Sequence, residues 1–224
     1  MKLLVLATQI SAAALLALGG AEFARAETIV ADTFALNASG RTQGVELNGL
    51  AAETGSDAWK SNARFGPMGG ITVGQSGADA YGLISLPTNE TTLAVEANVV
   101  TATSGWISVG FQKTSSKSNW YDPANSLLFA LLEPNGRWQL KSAGATLLAS
   151  GTLTDFEPGN AYKLELRYNP ASGTASVFVN DINVSGERAV QLSDLIGSAG
   201  FFFYGNGVAT TAASLRDFSV TSLP

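Results

Sequence analysis

Two runs near the C-terminal end carry a period of two that no helix can satisfy. Across residues 162–168, Leu164, Leu166 and Tyr168 alternate with Lys163, Glu165 and Arg167. An extended backbone therefore sends the apolar set to one side and the charged set to the other. Asn169-Pro170-Ala171-Ser172-Gly173 follows, and residues 174–180 resume the alternation. Alternating runs joined by such turn chemistry predict a β-hairpin. Further on, Phe201 and Phe203 fall on one face of a Gly/Phe-rich run and Phe202 and Tyr204 on the other. A strand that is aromatic on both faces must be buried on both sides or covered by a loop.

The rest of the chain repeats the pattern. Strands are expected at 28–34, 71–75, 81–86, 93–101, 105–113, 126–133, 137–142 and 146–151. Leu93, Val95, Ala97 and Val99 alternate with Ala94, Glu96 and Asn98, the signature of a half-buried strand. Asn135-Gly136, between Leu132 and Trp138, supplies the left-handed backbone of a tight hairpin. Asn180-Asp181 reads as a further turn, with both side chains bonding backbone amides. Helical spacing is expected only at 190–196, as one short turn. Many short strands separated by Gly, Pro, Asn and Ser predict an all-β, two-sheet antiparallel sandwich.

The N-terminus is of a different kind. Lys2, an apolar run over 3–18 and the exit Ala24-Arg25-Ala26 describe a secretory signal peptide over residues 1–26. Residues 27–224 then form one domain, with no repeat or linker and no second apolar run long enough to cross a membrane. The destination is secreted, periplasmic or extracellular. The Ala-rich leader and the absence of Cys favour a bacterial source. Thirteen basic against 18 acidic residues give a net charge of −5. Such a surface repels phosphate backbones, anionic membranes and acidic polysaccharides, so no nucleic-acid partner is expected and neutral sugars remain open.

The chain contains neither His nor Cys. That excludes Ser-His-Asp and Cys-His nucleophilic catalysis, and His- or Cys-ligated zinc. Oxygen-ligated ions and catalysis by carboxylates, Tyr, Lys or Arg survive. No cofactor is expected beyond a structural Ca2+, for which Asp32, Asp181 and Asn183 offer oxygen ligands without matching a known loop spacing.

Residues 162–166, 176–181, 197–201 and 215–220, together with Asp32-Thr33-Phe34, Leu47-Asn48-Gly49, Glu53-Thr54-Gly55 and Trp59, resemble the strands of concanavalin A-like domains, the lectin, glucanase and laminin-G group. The resemblance implies a jelly-roll sandwich with the first strand near the last, and a concave sheet face on which lectins and glucanases engage glycans. Glucanase relatives carry their catalytic acids as Glu-x-Asp-x-x-Glu on one strand. This chain has no such triplet, Glu96 has no acidic neighbour two or four residues away, and a glycoside hydrolase of that type is not expected.

The sharpest candidate site is the polar loop 115–123. Trp120 and Tyr121 could stack on sugar C–H faces while Asn119 and Asp122 hydrogen-bond the hydroxyls. The competing reading has Trp120 capping one end of the core. Trp106 shares a strand face with Ser108, opposite Ile107, Val109 and Phe111, and lies either on the concave face or under a loop. Trp138 reads as core or as support for the Asn-Gly hairpin, and Glu165 as one member of a solvated row with Lys163 and Arg167. Three functions follow: a non-catalytic domain binding neutral carbohydrate or another cell-surface ligand, a structural or adhesive envelope protein, or an enzyme using scattered carboxylates on a neutral polysaccharide. The oligomeric state is left undetermined.

Overall fold

The computed structural model describes residues 26–37, 40–72, 79–87, 91–116, 120, 122–205 and 213–224. Its strands are β1 (Glu27–Asp32), β2 (Lys60–Ser61), β3 (Arg64–Phe65), β4 (Ile71–Thr72), β5 (Ala80–Ser85), β6 (Thr92–Val100), β7 (Trp106–Gln112) and β8 (Ser126–Leu132). They continue with β9 (Arg137–Ser142), β10 (Thr146–Thr152), β11 (Ala161–Asn169), β12 (Thr174–Val179), β13 (Ile182–Asn183), β14 (Arg188–Ala189), β15 (Ser198–Tyr204) and β16 (Ser214–Leu223). They form two antiparallel sheets. One has nine strands in the order β13-β12-β11-β6-β16-β4-β3, with β1 beside β16 and β14 beside β12; the other has seven, β10-β9-β8-β7-β15-β5-β2. The first strand lies against the last, from Glu27 opposite Ser222 to Asp32 opposite Phe218, as the resemblance implied.

Turn chemistry sets the hairpins. Asn169 Oδ1 accepts from the amides of Ala171 and Ser172 at 2.9 and 3.2 Å, which closes the β11–β12 turn and pairs Asn169 with Thr174. Between β8 and β9 the Gly136 amide donates to Glu133 O at 3.0 Å. Only Gly136 of the Asn-Gly pair turns left-handed, at φ 78°, while Asn135 Oδ1 accepts from the Arg137 amide. Asn180 and Asp181 both have positive φ, the two-residue turn that matches strand twist. Asn180 Oδ1 accepts from the Lys163 amide at 2.9 Å, as expected, but Asp181 binds the Lys163 ammonium at 2.5 Å rather than an amide.

The main core lies between the sheets. Leu93, Val95, Ala97, Val99, Leu164 and Leu166 face Ile107, Val109, Phe111, Phe201 and Phe203, and Trp138 joins them. At its centre the rings of Phe34, Trp59, Phe201 and Phe218 pack with centroids 5.2 to 6.2 Å apart. Each partner offers an edge to a neighbour's face, the favoured arrangement for aromatic rings.

Residues 190–196 form no helical turn. Val190 and Ile196 are buried anchors at either end of the segment, and the Val190 and Gly197 amides are held by Gly173 O and Gln112 O. An irregular segment with a bend at Ser193 and Asp194 spans these anchors. The described helical element is a 3-10 turn at Ala143–Ala145.

Candidate functional site

The outer face of the seven-stranded sheet carries a second apolar cluster: Leu83, Trp106, Trp120, Phe129, Leu131 and Phe202. Strand register explains how residues distant in sequence meet there. Tyr204 lies opposite Trp106, Phe202 opposite Ser108, and Ser198 opposite Gln112. On the other side of β7, Leu131 lies opposite Ser108, Phe129 opposite Gly110, and Ser126 opposite Gln112. The face is thus aromatic and aliphatic at one end. At the other it ends in a polar row, Ser126, Gln112, Ser198 and Ser85.

Four rings form a nearly parallel series across this face. Trp120 stacks on Phe129 at 5.6 Å and 14°, Phe129 on Trp106 at 6.3 Å and 24°, and Trp106 on Tyr204 at 5.1 Å and 19°. Exposure rises along the series: Trp120 is 0% exposed, Trp106 7% and Tyr204 43%. Tyr204 thus stacks on Trp106 while remaining partly exposed. From sequence the run containing Tyr204 reads first as a folding strand and second as an aromatic platform.

The structure therefore unites Trp106 and Trp120 in one cluster but presents neither ring to solvent. Trp120 is buried outside the inter-sheet core, packed on the sheet's outer face, which is neither the ligand platform nor the core cap considered from sequence. Asp122 does not point at an open site: its Oδ1 accepts from the Ala124 amide at 2.9 Å, and its carbonyl receives the amides of Asn125 and Ser126. Asn119 and Tyr121 lie outside the described residues.

Asn125, which sequence reading passed over, ties the two ends of this loop together. It is buried; its Oδ1 accepts from the Thr114 amide at 3.0 Å, and its Nδ2 donates to Gln112 Oε1 at 2.7 Å. Beside it, Gln112 Nε2, Ser126 Oγ and Trp120 Nε1 are buried without a protein partner among the described residues. Gln112 and Ser126 are direct cross-strand neighbours, so the geometry suits bridging by ordered water, the usual means of satisfying such groups.

The outer face of the nine-stranded sheet is of opposite character. Glu96, without an acidic neighbour along its own strand, has Glu165 directly across the ladder. Like charges in that position repel, and cations relieve them: Arg167 Nε binds Glu165 at 2.5 Å, and Lys163 Nζ lies 3.4 Å from Glu96. Both cations are held in the charged form more strongly than usual, Arg167 chiefly by its hydrogen bond to Glu165 and Lys163 chiefly by that to Asp181. Glu165 is 3% exposed, so the expectation of a fully solvated row needs correcting. Arg167 folds back over the carboxylate, with its guanidinium 4.0 Å from the Phe178 ring.

The oxygens proposed for Ca2+ are engaged by protein. Asp32 is buried, paired with Arg41 through both carboxylate oxygens at 2.5 and 2.9 Å, and receives the Trp59 indole and the Phe34 amide. This pairing raises the Arg41 pKa above its ordinary value, and burial opposes it. Asn183 Oδ1 accepts from the Gly186 amide. Among the described residues no three acidic side chains gather as metal ligands.

No family model and no curated protein sequence matches the chain. Solved structures do. The carbohydrate recognition domain of Emp47p superposes with a TM-score of 0.54 at 15% identity, over 80% of this chain and 92% of that one. The exoplasmic/lumenal domain of VIP36 in its Ca2+/Man3GlcNAc-bound form gives 0.53 at 13%, over 74% and 84%. Lectin UEA-II complexed with galactose gives 0.50 at 9%, over 80% and 98%. The fold is concanavalin A-like.

Within this concanavalin A-like sandwich the outer face of the seven-stranded sheet is filled largely from within, because Trp120 packs against Phe129. What stays accessible is the Tyr204 end. Asp79 Oδ1 accepts from the Gly205 amide at 2.9 Å, the Asn62 side chain bonds Asp79 O and the Tyr81 amide, and Ser104 Oγ donates to Gly205 O. These polar groups rim an exposed ring, a combination suited to a hydroxylated ligand.

Proposed function

We propose that the protein is an exported, non-catalytic domain that binds neutral glycans at the Tyr204 end of the seven-stranded sheet's outer face. The observation that carries this reading is the Tyr204 ring, 43% exposed at the surface and held by Trp106 in a parallel stack. Backing by a cross-strand partner fixes the ring's orientation before any ligand arrives, which lowers the entropic cost of stacking a sugar upon it. Asp79, Asn62 and Ser104 supply hydroxyl partners around the rim. The net charge of −5 disfavours acidic polysaccharides.

Solved structures with this fold support the ligand class, since they include the carbohydrate recognition domain of Emp47p and lectin UEA-II complexed with galactose. Trp120 and Phe129 act in this reading as supports behind Trp106. Export rests on the leader at 1–26. Among the described residues no helix is long and apolar enough to cross a membrane.

The test is binding of the purified exported protein to an array of neutral glycans, followed by titration of the strongest hit. Tyr204→Ala should weaken that hit about tenfold, the scale of one lost aromatic contact, with an unchanged near-UV circular dichroism spectrum apart from the lost tyrosine. Equal affinity in Tyr204→Ala would move the site elsewhere, and no binding to any neutral glycan would sink the reading. Mass spectrometry of the exported protein should find Glu27 at its N-terminus.

A further inference from the structure

The inter-sheet space opens sideways between β10 and β13, the edge strands of the two sheets. The opening is a cleft of about 580 Å3 lined by residues of both sheets, within the ordinary range of small-molecule sites. One wall holds Trp138, which faces inward from β9 and lies directly across from Gly151 of the edge strand. A Cβ at Gly151 would stand 2.7 Å from Cζ2 of the indole and 2.9 Å from Nε1. Glycine at this place is what lets the indole edge reach the cleft.

The indole N–H is the unusual feature. Trp138 is 6% exposed, and buried indoles ordinarily find an acceptor for their N–H. Trp59 donates to Asp32. The Trp138 N–H has no protein acceptor among the described residues, and unlike that of Trp120 it is not sealed from solvent. A nearly buried donor is thus left facing the cleft.

The opposite wall is fixed equally well. Ile182, 67% exposed, sits at the end of the Asn180-Asp181 turn, which is locked by the Asn180–Lys163 hydrogen bond. That bond uses Asn180 Oδ1 and leaves the side-chain NH2 without an acceptor among the described residues. Thr152 and Asp155 line the rim.

We infer that this lateral cleft is a second binding site, for a neutral saccharide held edge-on, with a ligand hydroxyl accepting from Trp138 Nε1. The ligand class rests on the glycan reading above; the residues are separate from it. A hydrocarbon would leave the indole N–H and the Asn180 amide unpaired, at the cost of their desolvation. An anion would meet Asp155 and the negative surface. A sugar ring offers C–H surface to Ile182 and hydroxyls to Thr152, Asp155, Asn180 and Trp138. Stacking on Trp138 plays no part, because only its edge is open.

The experiment is a two-dimensional 15N–1H spectrum of the full exported protein titrated with cellohexaose, mannohexaose and xylohexaose at millimolar concentration. The chain has four Trp, so its indole resonances are few, and Trp138→Phe assigns the one that matters by its loss. At least one sugar should shift the Trp138 indole resonance along a saturable curve. Gly151→Ala, which crowds the indole, should weaken that binding about tenfold or more. Ile182→Ser, on the exposed wall, should weaken it a few-fold and provides the measurement if Gly151→Ala does not fold.

Shifts at Trp106 and Tyr204 with none at Trp138 would overturn the lateral site and leave the outer-face reading standing. Shifts at Trp138 with none at Trp106 would do the reverse. No shift with any of the three sugars, or a Trp138 shift unaltered in both Gly151→Ala and Ile182→Ser, would overturn the lateral site.

Discussion

The outer faces of the two sheets are built from strands with the same two-residue period, yet one has become a second core and the other an ion network. On the seven-stranded sheet, Leu83, Phe129, Leu131 and Phe202 point away from the sandwich and are buried again beneath Trp120 and Trp106. On the nine-stranded sheet the equivalent positions are Glu96, Asn98, Lys163, Glu165 and Arg167. The difference lies in what covers them. An apolar outer face is stable only when chain from elsewhere excludes water from it, whereas a charged one can stay at the surface provided its like charges are interleaved with cations. A buried face is also a poor ligand platform, which is why the accessible part of the ring series is its Tyr204 end.

The comparison can be broken most forcefully at Trp120. If this residue completes a second core, Trp120→Ala removes a fully buried indole and should cost about 3–5 kcal/mol in urea unfolding. A Trp120 that served a ligand alone would leave stability unmoved, and the two faces would then differ less than argued.

On the charged face, Arg167→Ala leaves Glu165 buried and facing Glu96 without its cation. The expected loss is about 2 kcal/mol, below that for a deeply buried pair because Arg167 is partly exposed. Adding Glu165→Gln should recover much of that loss, since the residual penalty is an unpaired charge. An additive double mutant would show that the Glu165–Arg167 pair does not hold this face together.

The smallest effect is alkaline. Lys163 has its pKa raised by Asp181 first and Glu96 next, so its contribution is fully present below the unfolded value of about 10.4. It is lost as pH rises through the raised folded value. Stability should therefore fall in that window by less than about 1 kcal/mol, as for a partly exposed pair, and Lys163→Met should remove this component of the pH profile. An identical alkaline profile in the variant would show that the ammonium gives the sheet no measurable support.

Local features of the chain carried much of the fold. The β11–β12 hairpin, the Asn-Gly turn and the inward faces of β6 and β7 follow from side-chain alternation and turn residues, which act within a few residues of one another. The misreading at 190–196 came from the same locality: its apolar spacing suits a helix, but Val190 and Ile196 are claimed by separate tertiary anchors. Trp106 was legible as a residue of the second face. Its partner was not, because no local signal pairs Gly105-Trp106 with Tyr204-Gly205.

The sequence by itself determined a two-sheet β-sandwich, the absence of His- and Cys-based chemistry and the acidic surface, whereas the placement of the first strand near the last was what the resemblance implied. The former depend on composition, on period and on short turns. Tertiary structure alone decided that Trp120 is buried on an outer face, that Glu165 stands opposite Glu96, that the partly exposed Tyr204 stacks on Trp106, and that Trp138 meets a glycine at an open edge. Each of these is a cross-strand or loop-on-sheet contact between distant residues. Strand order and register fix such contacts, and neither is written in the neighbours of any one residue.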